Sequence, residues 1–170
     1  VGQLTTLSYP EAHDQSWSRL EVGYTYQNGH LVALTQDGSN VWEAESITPE
    51  GFVDLVRLGN GGQVERIFDE ATGRFHEQSA VAADGTPWLN ETALYDAAGN
   101  VTDRQINSVV EHLRYDALHR LTQIKRVVRG RAQSTYMTYD ALGNITSKTG
   151  VGTYEYGGAQ PHAVTATNLD

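Results

Sequence analysis

The sequence lacks cysteine altogether and is poor in proline and lysine, with four prolines and only Lys125 and Lys148. Without cysteine, neither a disulfide nor a thiolate-bound metal can hold the fold together. Apolar runs are short, and none approaches the roughly 18–20 residues of a membrane-spanning helix. No signal-peptide pattern opens the chain, and Val1 in place of methionine suggests a segment of a longer protein. The sequence therefore predicts a fold without cross-links and without a membrane span.

Positive charge is also scarce, since the formal net charge is −9. Residues 1–100 carry 15 acidic and 4 basic side chains, whereas residues 101–170 carry 6 and 8. An acidic balance argues against a general affinity for nucleic acid or anionic membranes. The basic excess ends in the run from Lys125 to Arg131. Because no aromatic is interleaved there, we interpret this run as a solvated hairpin face, with a binding patch as the alternative.

What the sequence does contain is an internal repeat. Its pattern is an aromatic residue, Asp, two or three small or apolar residues, Gly or once His, then Asn or Arg, and an apolar residue. From Asp to Asp the steps are 27, 20 and 24 residues, and a looser copy surrounds Tyr26. The positions that carry the pattern are Phe68, Asp69, Gly73 and Arg74; Tyr95, Asp96, Gly99 and Asn100; Tyr115, Asp116 and Arg120; and Tyr139, Asp140, Gly143 and Asn144.

Each position of the repeat has a physical reason in a short β-hairpin. Asp accepts hydrogen bonds from backbone N–H groups that follow it in the chain, which starts a turn. Gly supplies the positive φ that closes a short connection, so we expect positive φ at Gly73, Gly99 and Gly143. His119 stands at this position in the third copy, and His visits positive φ more readily than most residues. The aromatic residue ends one strand and the apolar residue begins the next.

One stretch favours a helix instead. Between Asn100 and Arg129 there is no Gly or Pro, and apolar residues recur at helical spacing from Ile106 to Val128. We nevertheless predict strands here, because Tyr115-Asp116 lies in the repeat register and the end of the stretch is β-prone. An amphipathic helix is the alternative.

The repeats resemble the YD/RHS repeats of bacterial polymorphic toxins, of the B and C components of insecticidal toxin complexes, and of teneurins. The resemblance covers nearly the whole chain and is weakest over residues 1–20 and 76–92. Besides the Tyr-Asp pairs, the elements that carry it are Trp42–Ile47, Leu58–Gly61, Arg66, Phe68-Asp69, Thr72–Arg74, Tyr154, Tyr156 and Pro161–Thr165.

The resemblance implies an all-β fold of antiparallel hairpin repeats that forms part of a spirally wound β-sheet shell. It implies that residues 1–170 are one repeat segment, with repeats centred near Tyr26, Phe68, Tyr95, Tyr115 and Tyr139. The implied function is structural: a wall that encloses a C-terminal toxin or effector in a secreted or cell-surface bacterial protein used in intercellular competition. The implied partners are the rest of the shell and its cargo, and exposed strand edges predict self-association. The motif of the family's self-cleaving core is missing, so neither protease nor toxin activity is carried over.

No catalytic or cofactor site is predicted. The six His residues lack metal-ligand spacing, and the Asp residues lack the dense spacing of a Ca²⁺ loop. A carbohydrate- or partner-binding β-repeat module is the first alternative function, because Trp17, Trp42 and Trp88 could form a stacking surface. Aromatic residues at alternating strand positions more often fill a core or line an interior. An enzymatic effector domain is the second alternative, but no convergent acid–base or nucleophile set supports it.

Overall fold

The computed structural model describes residues 2–10 and 19–168. These residues contain no helix, and their fifteen strands follow one another in the sheet in chain order. Every strand pair with a defined register is antiparallel. The predicted all-β class and the antiparallel hairpins are therefore confirmed.

The chain divides into two compact units, Val1–Glu91 and Thr92–Asp170, and strand β8 (Pro87–Tyr95) contributes to both. The other strands of the first unit are β1 (Thr6–Ser8), β2 (Glu21–Gln27), β3 (His30–Gln36), β4 (Ser39–Ile47), β5 (Val53–Leu58), β6 (Gln63–Phe68) and β7 (Phe75–Val81). Those of the second unit are β9 (Val101–Ile106), β10 (Val109–Tyr115), β11 (Leu121–Val128), β12 (Arg131–Tyr139), β13 (Ile145–Lys148), β14 (Gly152–Tyr156) and β15 (Val164–Asn168).

The repeated motif forms the connection between the two strands of each hairpin, and we call residues 69–74, 96–100, 116–120 and 140–144 the Tyr-Asp turns. Gly73, Gly99 and Gly143 have φ angles of 67°, 94° and 91°, which confirms the predicted positive φ. His119 takes the same conformation, with a φ of 61°. The Gly or His position of the repeat is therefore explained by the positive φ that the backbone has there.

The stretch with helical spacing forms strands, as predicted from the repeat register. Residues 106–128 contain the end of β9 and all of β10 and β11. Asn107 turns the chain between β9 and β10 with a φ of 51°. Cross-strand pairing of Val110 with Val127 and of Leu113 with Ile124 overrides the helical periodicity.

A β-bulge recurs at the same place in the hairpins of Tyr26, Phe68, Tyr115, Tyr139 and Tyr156. Tyr115 pairs with Leu121 but Arg114 pairs with Gln123, so Thr122 is the extra residue. The register shifts in the same way directly before Tyr139 and Tyr156, and in the first unit directly before Tyr26 and Phe68. A bulge bends its strand and increases the local twist. These hairpins therefore bend at equivalent positions.

The buried core of each unit is small. In the first unit Val56, Val64 and Ala80 are buried, and partly buried apolar side chains such as Trp42 pack against them. Ala93 and Met137 are the buried hydrophobic side chains of the second unit among the residues described. Most side chains of both units therefore keep contact with solvent.

Candidate functional site

The aspartate of each Tyr-Asp turn in the second unit holds the turn closed through one carboxylate oxygen. The backbone N–H of the residue four positions later donates to Oδ1. These distances are 2.9 Å from Asn100 to Asp96, 3.0 Å from Arg120 to Asp116 and 2.9 Å from Asn144 to Asp140. A short acceptor next to the backbone can bind the N–H groups that no strand partner reaches. The carboxylate is thus part of the turn itself.

The other carboxylate oxygen binds the side chain of that same fourth residue. Asn100 donates to Oδ2 of Asp96 over 2.8 Å, Arg120 to Asp116 over 2.7 Å and Asn144 to Asp140 over 2.9 Å. Asn and Arg differ in size and charge, but both carry a side-chain N–H group that reaches Oδ2 of the aspartate. This explains why the repeat accepts either residue after Gly or His.

These hydrogen bonds lower the pKa of the turn aspartates. The side-chain amide of Asn100 is the largest cause at Asp96, and the backbone N–H of Arg120 is the largest cause at Asp116. At Asp140 burial is the largest single influence and opposes the change, yet the hydrogen bonds from Asn144 outweigh it and the pKa still falls. The turns therefore hold their aspartates in the ionised state.

Tyrosine hydroxyls join each hairpin to the one before it. Tyr115 donates to the carbonyl of Val101 over 3.0 Å, and Tyr139 donates to the carbonyl of Leu121 over 2.7 Å. Tyr156, which no Asp follows, donates to the carbonyl of Ile145 over 2.9 Å. The acceptor is in each case the first residue after the preceding turn. Burial is the largest cause that raises the pKa of Tyr115, so its hydroxyl stays protonated and able to donate.

The fourth residue after each aspartate makes a second link, toward the following turn. The amide nitrogen of Asn100 lies 2.9 Å from Nδ1 of His119, and the guanidinium of Arg120 donates to the carbonyl of Asp140 over 3.0 Å. The amide of Asn144 donates to the carbonyl of Pro161 over 3.1 Å. We call these links, together with the tyrosine hydroxyl bonds, the turn ladder.

Asn144 and His162 complete the turn ladder at its last step. Nδ1 of His162 lies 2.7 Å from Oδ1 of Asn144, and the amide nitrogen of Asn144 already donates twice, to Asp140 and Pro161. Nδ1 of His162 therefore donates, whereas Nδ1 of His119 accepts from an amide nitrogen. The side chain of Asn144 is buried, with every hydrogen-bonding group occupied.

Arg120 also packs on the aromatic ring of the next repeat. Its guanidinium carbon lies 4.7 Å from the ring centroid of Tyr139, the residue whose hydroxyl bonds to Leu121. A planar cation stacked on an aromatic face combines electrostatic attraction with apolar contact. One side chain thus closes its own turn and holds the ring of the next.

The Phe68 copy in the first unit differs from the other three. Its longer turn is closed by Thr72, whose backbone N–H and hydroxyl both donate to Asp69, over 2.8 Å and 2.6 Å. The Thr72 hydroxyl is the largest cause of the lowered pKa of Asp69. Phe68 has no hydroxyl, and its ring stacks on Phe52 at a centroid distance of 4.7 Å.

The sequence interpretation missed the threonines that occupy the bulges of the second unit. Thr122 donates to the carbonyl of Arg114 over 3.1 Å, and Thr165 donates to that of Glu155 over 3.0 Å. Thr146 forms a 2.7 Å hydrogen bond with the hydroxyl of Thr138. Extending the repeat by one position would have revealed them, because an apolar residue and then Thr follow Asn100, Arg120, Asn144 and Ala163.

Of the three tryptophans proposed as a ligand-facing surface, the structure describes Trp42 and Trp88. Trp42 packs against the buried cluster of the first unit, whereas Trp88 is 53% exposed on β8. Trp17 lies outside the described residues. Trp42 therefore fills core, which is the role that alternating aromatics more often have.

Neither a metal centre nor a membrane-spanning helix is found in the part of the chain that the structure describes. Across residues 2–10 and 19–168, no three His, Asp or Glu side chains lie together in a way that could hold a metal ion. The same ranges contain no helix long and apolar enough to cross a bilayer.

Comparison with known proteins relates the fold to toxin complexes. No protein-family model and no curated protein matches the chain. Among solved structures, it is similar to a chain of the Photorhabdus luminescens Tc holotoxin pore and to a chain of TcdB2-TccC3-TEV. Each match has a TM-score of 0.65 and 17% identity, and covers 84% of this chain but 9% of the matched chain. The likeness establishes the fold, and insecticidal toxin complexes are among the groups that the motifs resemble. The fold expected from the YD/RHS resemblance is thus confirmed.

Proposed function

We propose that this chain is a wall segment of an RHS-type shell that encloses a toxin or effector polypeptide, without catalysis of its own. The turn ladder is the observation that supports this most. Its polar side chains join hairpin to hairpin through Tyr115, Tyr139 and Tyr156, and so they stiffen a continuous surface. A binding or catalytic site would instead leave such groups free toward a ligand.

The recurrent bulges and the small cores support the same proposal. A bulge at an equivalent position in three hairpins of the second unit bends their strands alike, as a wall that curves around contents requires. Few side chains are fully buried in either unit, so the sheet has faces left to contact other parts of a shell or its cargo. By resemblance, the complete shell is secreted or displayed at the cell surface of a bacterium.

The proposal can be tested on the full-length protein that contains this segment, by limited proteolysis. We expect the enclosed polypeptide to resist a protease that digests the same polypeptide when it is produced alone. The double variant Y139F/N144A removes two steps of the ladder and should make the enclosed polypeptide cleavable several times faster. Tyr136→Phe, on the same strand but 54% exposed, is the matched control and should not change the rate. Equal cleavage of enclosed and free polypeptide would refute the wall function.

Carbohydrate or partner binding remains a second candidate function, which only the exposed ring of Trp88 favours. Half-exposed aromatic rings on strands can stack on sugars. A glycan array probed with the wild-type chain and with Trp88→Ala decides between the two functions. Binding that Trp88→Ala abolishes would establish carbohydrate binding, and absence of binding by the wild type would dismiss it.

A further inference from the structure

Three arginine side chains line a cleft at the connection between β11 and β12, which we call the arginine cleft. Its volume is about 630 Å³, which lies in the range of small-molecule sites. The lining residues are Arg126, Val128, Arg129, Arg131, Ala132 and Gln133. Among the described residues no carboxylate lines it. Three of the chain's twelve basic side chains therefore meet at one place on a chain whose net charge is −9.

Strand pairing brings these side chains together. Arg126 lies opposite Gln133, and Val128 lies opposite Arg131. Residues that lie opposite each other in an antiparallel pair share a face of the sheet, and so do residues two positions apart on one strand. Arg126 and Arg131 therefore lie on the same face, and Arg129 lies in the turn beside them.

The positive charge of the arginine cleft is not neutralised within residues 2–10 and 19–168. Neither Arg129 nor Arg131 forms an ion pair or a side-chain hydrogen bond there. Arg126 has only a long contact of 3.6 Å to Oε1 of Glu111. The other oxygen of Glu111 accepts two hydrogen bonds from Arg104, over 2.6 Å and 3.1 Å. The three guanidinium groups of the cleft are thus available to an anion.

The turn beside the cleft holds an arginine where such turns prefer other residues. Arg129 and Gly130 have φ angles of 49° and 75°, the two positive values of a type I′ turn. The first position of three other two-residue connections, also with positive φ, holds Asn28, Asp37 or Asn107. Asn and Asp adopt positive φ more readily than most residues. Because arginine gives the turn no such advantage, its guanidinium indicates a role outside the turn.

We infer that the arginine cleft binds a phosphate or sulfate group. Guanidinium groups form paired, charge-assisted hydrogen bonds with such oxyanions, and the amide of Gln133 adds a neutral donor. A compact anion suits the cleft better than a long polyanion, which the acidic balance of the rest of the chain repels. The basic run from Lys125 to Arg131 is then a binding patch as well as a solvated face. This inference goes beyond the wall function and does not depend on it.

Titration of the chain with inorganic phosphate, inorganic sulfate and glucose 6-phosphate tests the inference. At an ionic strength held constant with sodium chloride, we expect saturable shifts of the side-chain Nε–Hε NMR signals of Arg126, Arg129 and Arg131. The signal of Arg57, which is ion-paired with Glu45, should stay in place. Comparison of glucose 6-phosphate with the two inorganic ions distinguishes an ester from a free ion as the source of the group. Shifts without saturation, or equal shifts in sodium chloride alone, would overturn the inference.

Arg129→Asn removes one guanidinium and introduces a residue that the turn favours. We expect the affinity for inorganic phosphate to fall about tenfold, as for the loss of hydrogen bonds between charged groups, while the melting temperature stays the same or rises. Lys125→Gln removes the same charge from the opposite face of β11 and is the matched control. It should weaken binding by less than about twofold, because exposed charges at a distance are screened. Equal losses in the two variants would leave only general electrostatic attraction and overturn the inference.

A second variant and a second form of the protein keep the test decisive. Arg131→Gln changes a strand residue instead of the turn, and we expect a similar loss of affinity. The full-length protein that contains this segment is then compared with its Arg129→Asn variant by isothermal titration calorimetry with inorganic phosphate. A smaller binding heat in the variant supports the site. Equal heats would show that neighbouring protein covers the cleft, and would overturn the inference.

Discussion

Asn144 is the one buried polar side chain of the described residues, and it links three parts of the second unit. It donates to Asp140 and to the carbonyl of Pro161, and it accepts from His162. A buried network in which every group is paired is stable only while it stays complete, because each lost partner leaves an unsatisfied group behind. This residue therefore contributes more than an exposed turn residue of the same type.

We expect Asn144→Ala to lower the free energy of unfolding by about 2 kcal/mol, since three hydrogen bonds of a buried side chain are lost together. Asn100→Ala, at the equivalent position two strand pairs earlier and more exposed, should cost about 1 kcal/mol. Urea unfolding of both variants measures the difference. Equal losses would show that the burial of Asn144 adds nothing.

Acid should weaken the turns through their aspartates. The pKa of Asp96, Asp116 and Asp140 is lowered in the folded state. In the window between the lowered pKa and the ordinary value of about 3.9, the unfolded chain binds more protons, so stability rises with pH. The contribution is therefore complete above about pH 5 and is lost as the pH falls through the folded-state values.

Thermal unfolding between pH 6 and pH 2.5 measures this effect, and we expect the melting temperature to fall steadily below about pH 4. Replacing all three aspartates with Asn should flatten that part of the curve and lower the melting temperature at pH 7. A wild-type curve without slope in this range would contradict the assignment of the carboxylates to the turns.

At the scale of single residues, the sequence predicts the positions that shape the backbone next to them in the chain. Asp starts a turn and Gly or His closes it, and both roles depend on residues a few positions away. The hydroxyl bonds of Tyr115 and Tyr139 join residues 14 and 18 positions apart. They could not be predicted, because they depend on how two hairpins pair, which a single repeat does not specify.

The hairpin is the element that the repeat encodes. The tyrosine hydroxyl joins one hairpin to the next through a hydrogen bond. The helical spacing between Ile106 and Val128 illustrates how pairing decides. The same apolar residues satisfy a helix pattern, but the Tyr-Asp turn at residue 116 and the partners of β10 on both sides fix them as strands. Turn chemistry identified the element correctly where periodicity alone would not.

We expect Tyr139→Phe to destabilise the chain by about 1 kcal/mol, because the carbonyl of Leu121 loses its donor in a half-buried site. Tyr136→Phe, on the same strand, should change stability by less than about 0.5 kcal/mol, because the residue is 54% exposed and its hydroxyl accepts only one long, exposed hydrogen bond, from Gln123 over 3.3 Å. Hydrogen exchange should locate the loss in β11 and β12. Equal effects of the two variants would mean that the hydroxyl contributes nothing to hairpin stacking.

For the molecule as a whole, the open strand edges are the feature with the largest consequence. β1 has only three residues, and β15 ends the order at the other side. Charges and prolines that usually protect sheet edges are rare, since the chain has two lysines and four prolines. The sequence predicted exposed edges from the repeat, whereas what covers them depends on neighbouring protein.

We expect the isolated chain to associate as its concentration rises, as measured by analytical ultracentrifugation from micromolar to near-millimolar concentration. Leu7→Lys places a charge on the short strand β1 and should weaken the association. Leu118→Lys, at the 69% exposed tip of a turn, is the matched control and should leave it unchanged. A monomer over the whole range would show that both edges are protected.

The order of the strands has a consequence for how the chain is made. Each strand pairs with the one synthesised just before it, so the contacts between strands are local in sequence, which favours fast folding. The tyrosine links point backwards along the chain, from Tyr139 to Leu121 and from Tyr156 to Ile145. When a new hairpin leaves the ribosome, its acceptor carbonyl is already in place. The sheet can therefore form one hairpin at a time during translation, each hairpin pairing with the one made before it.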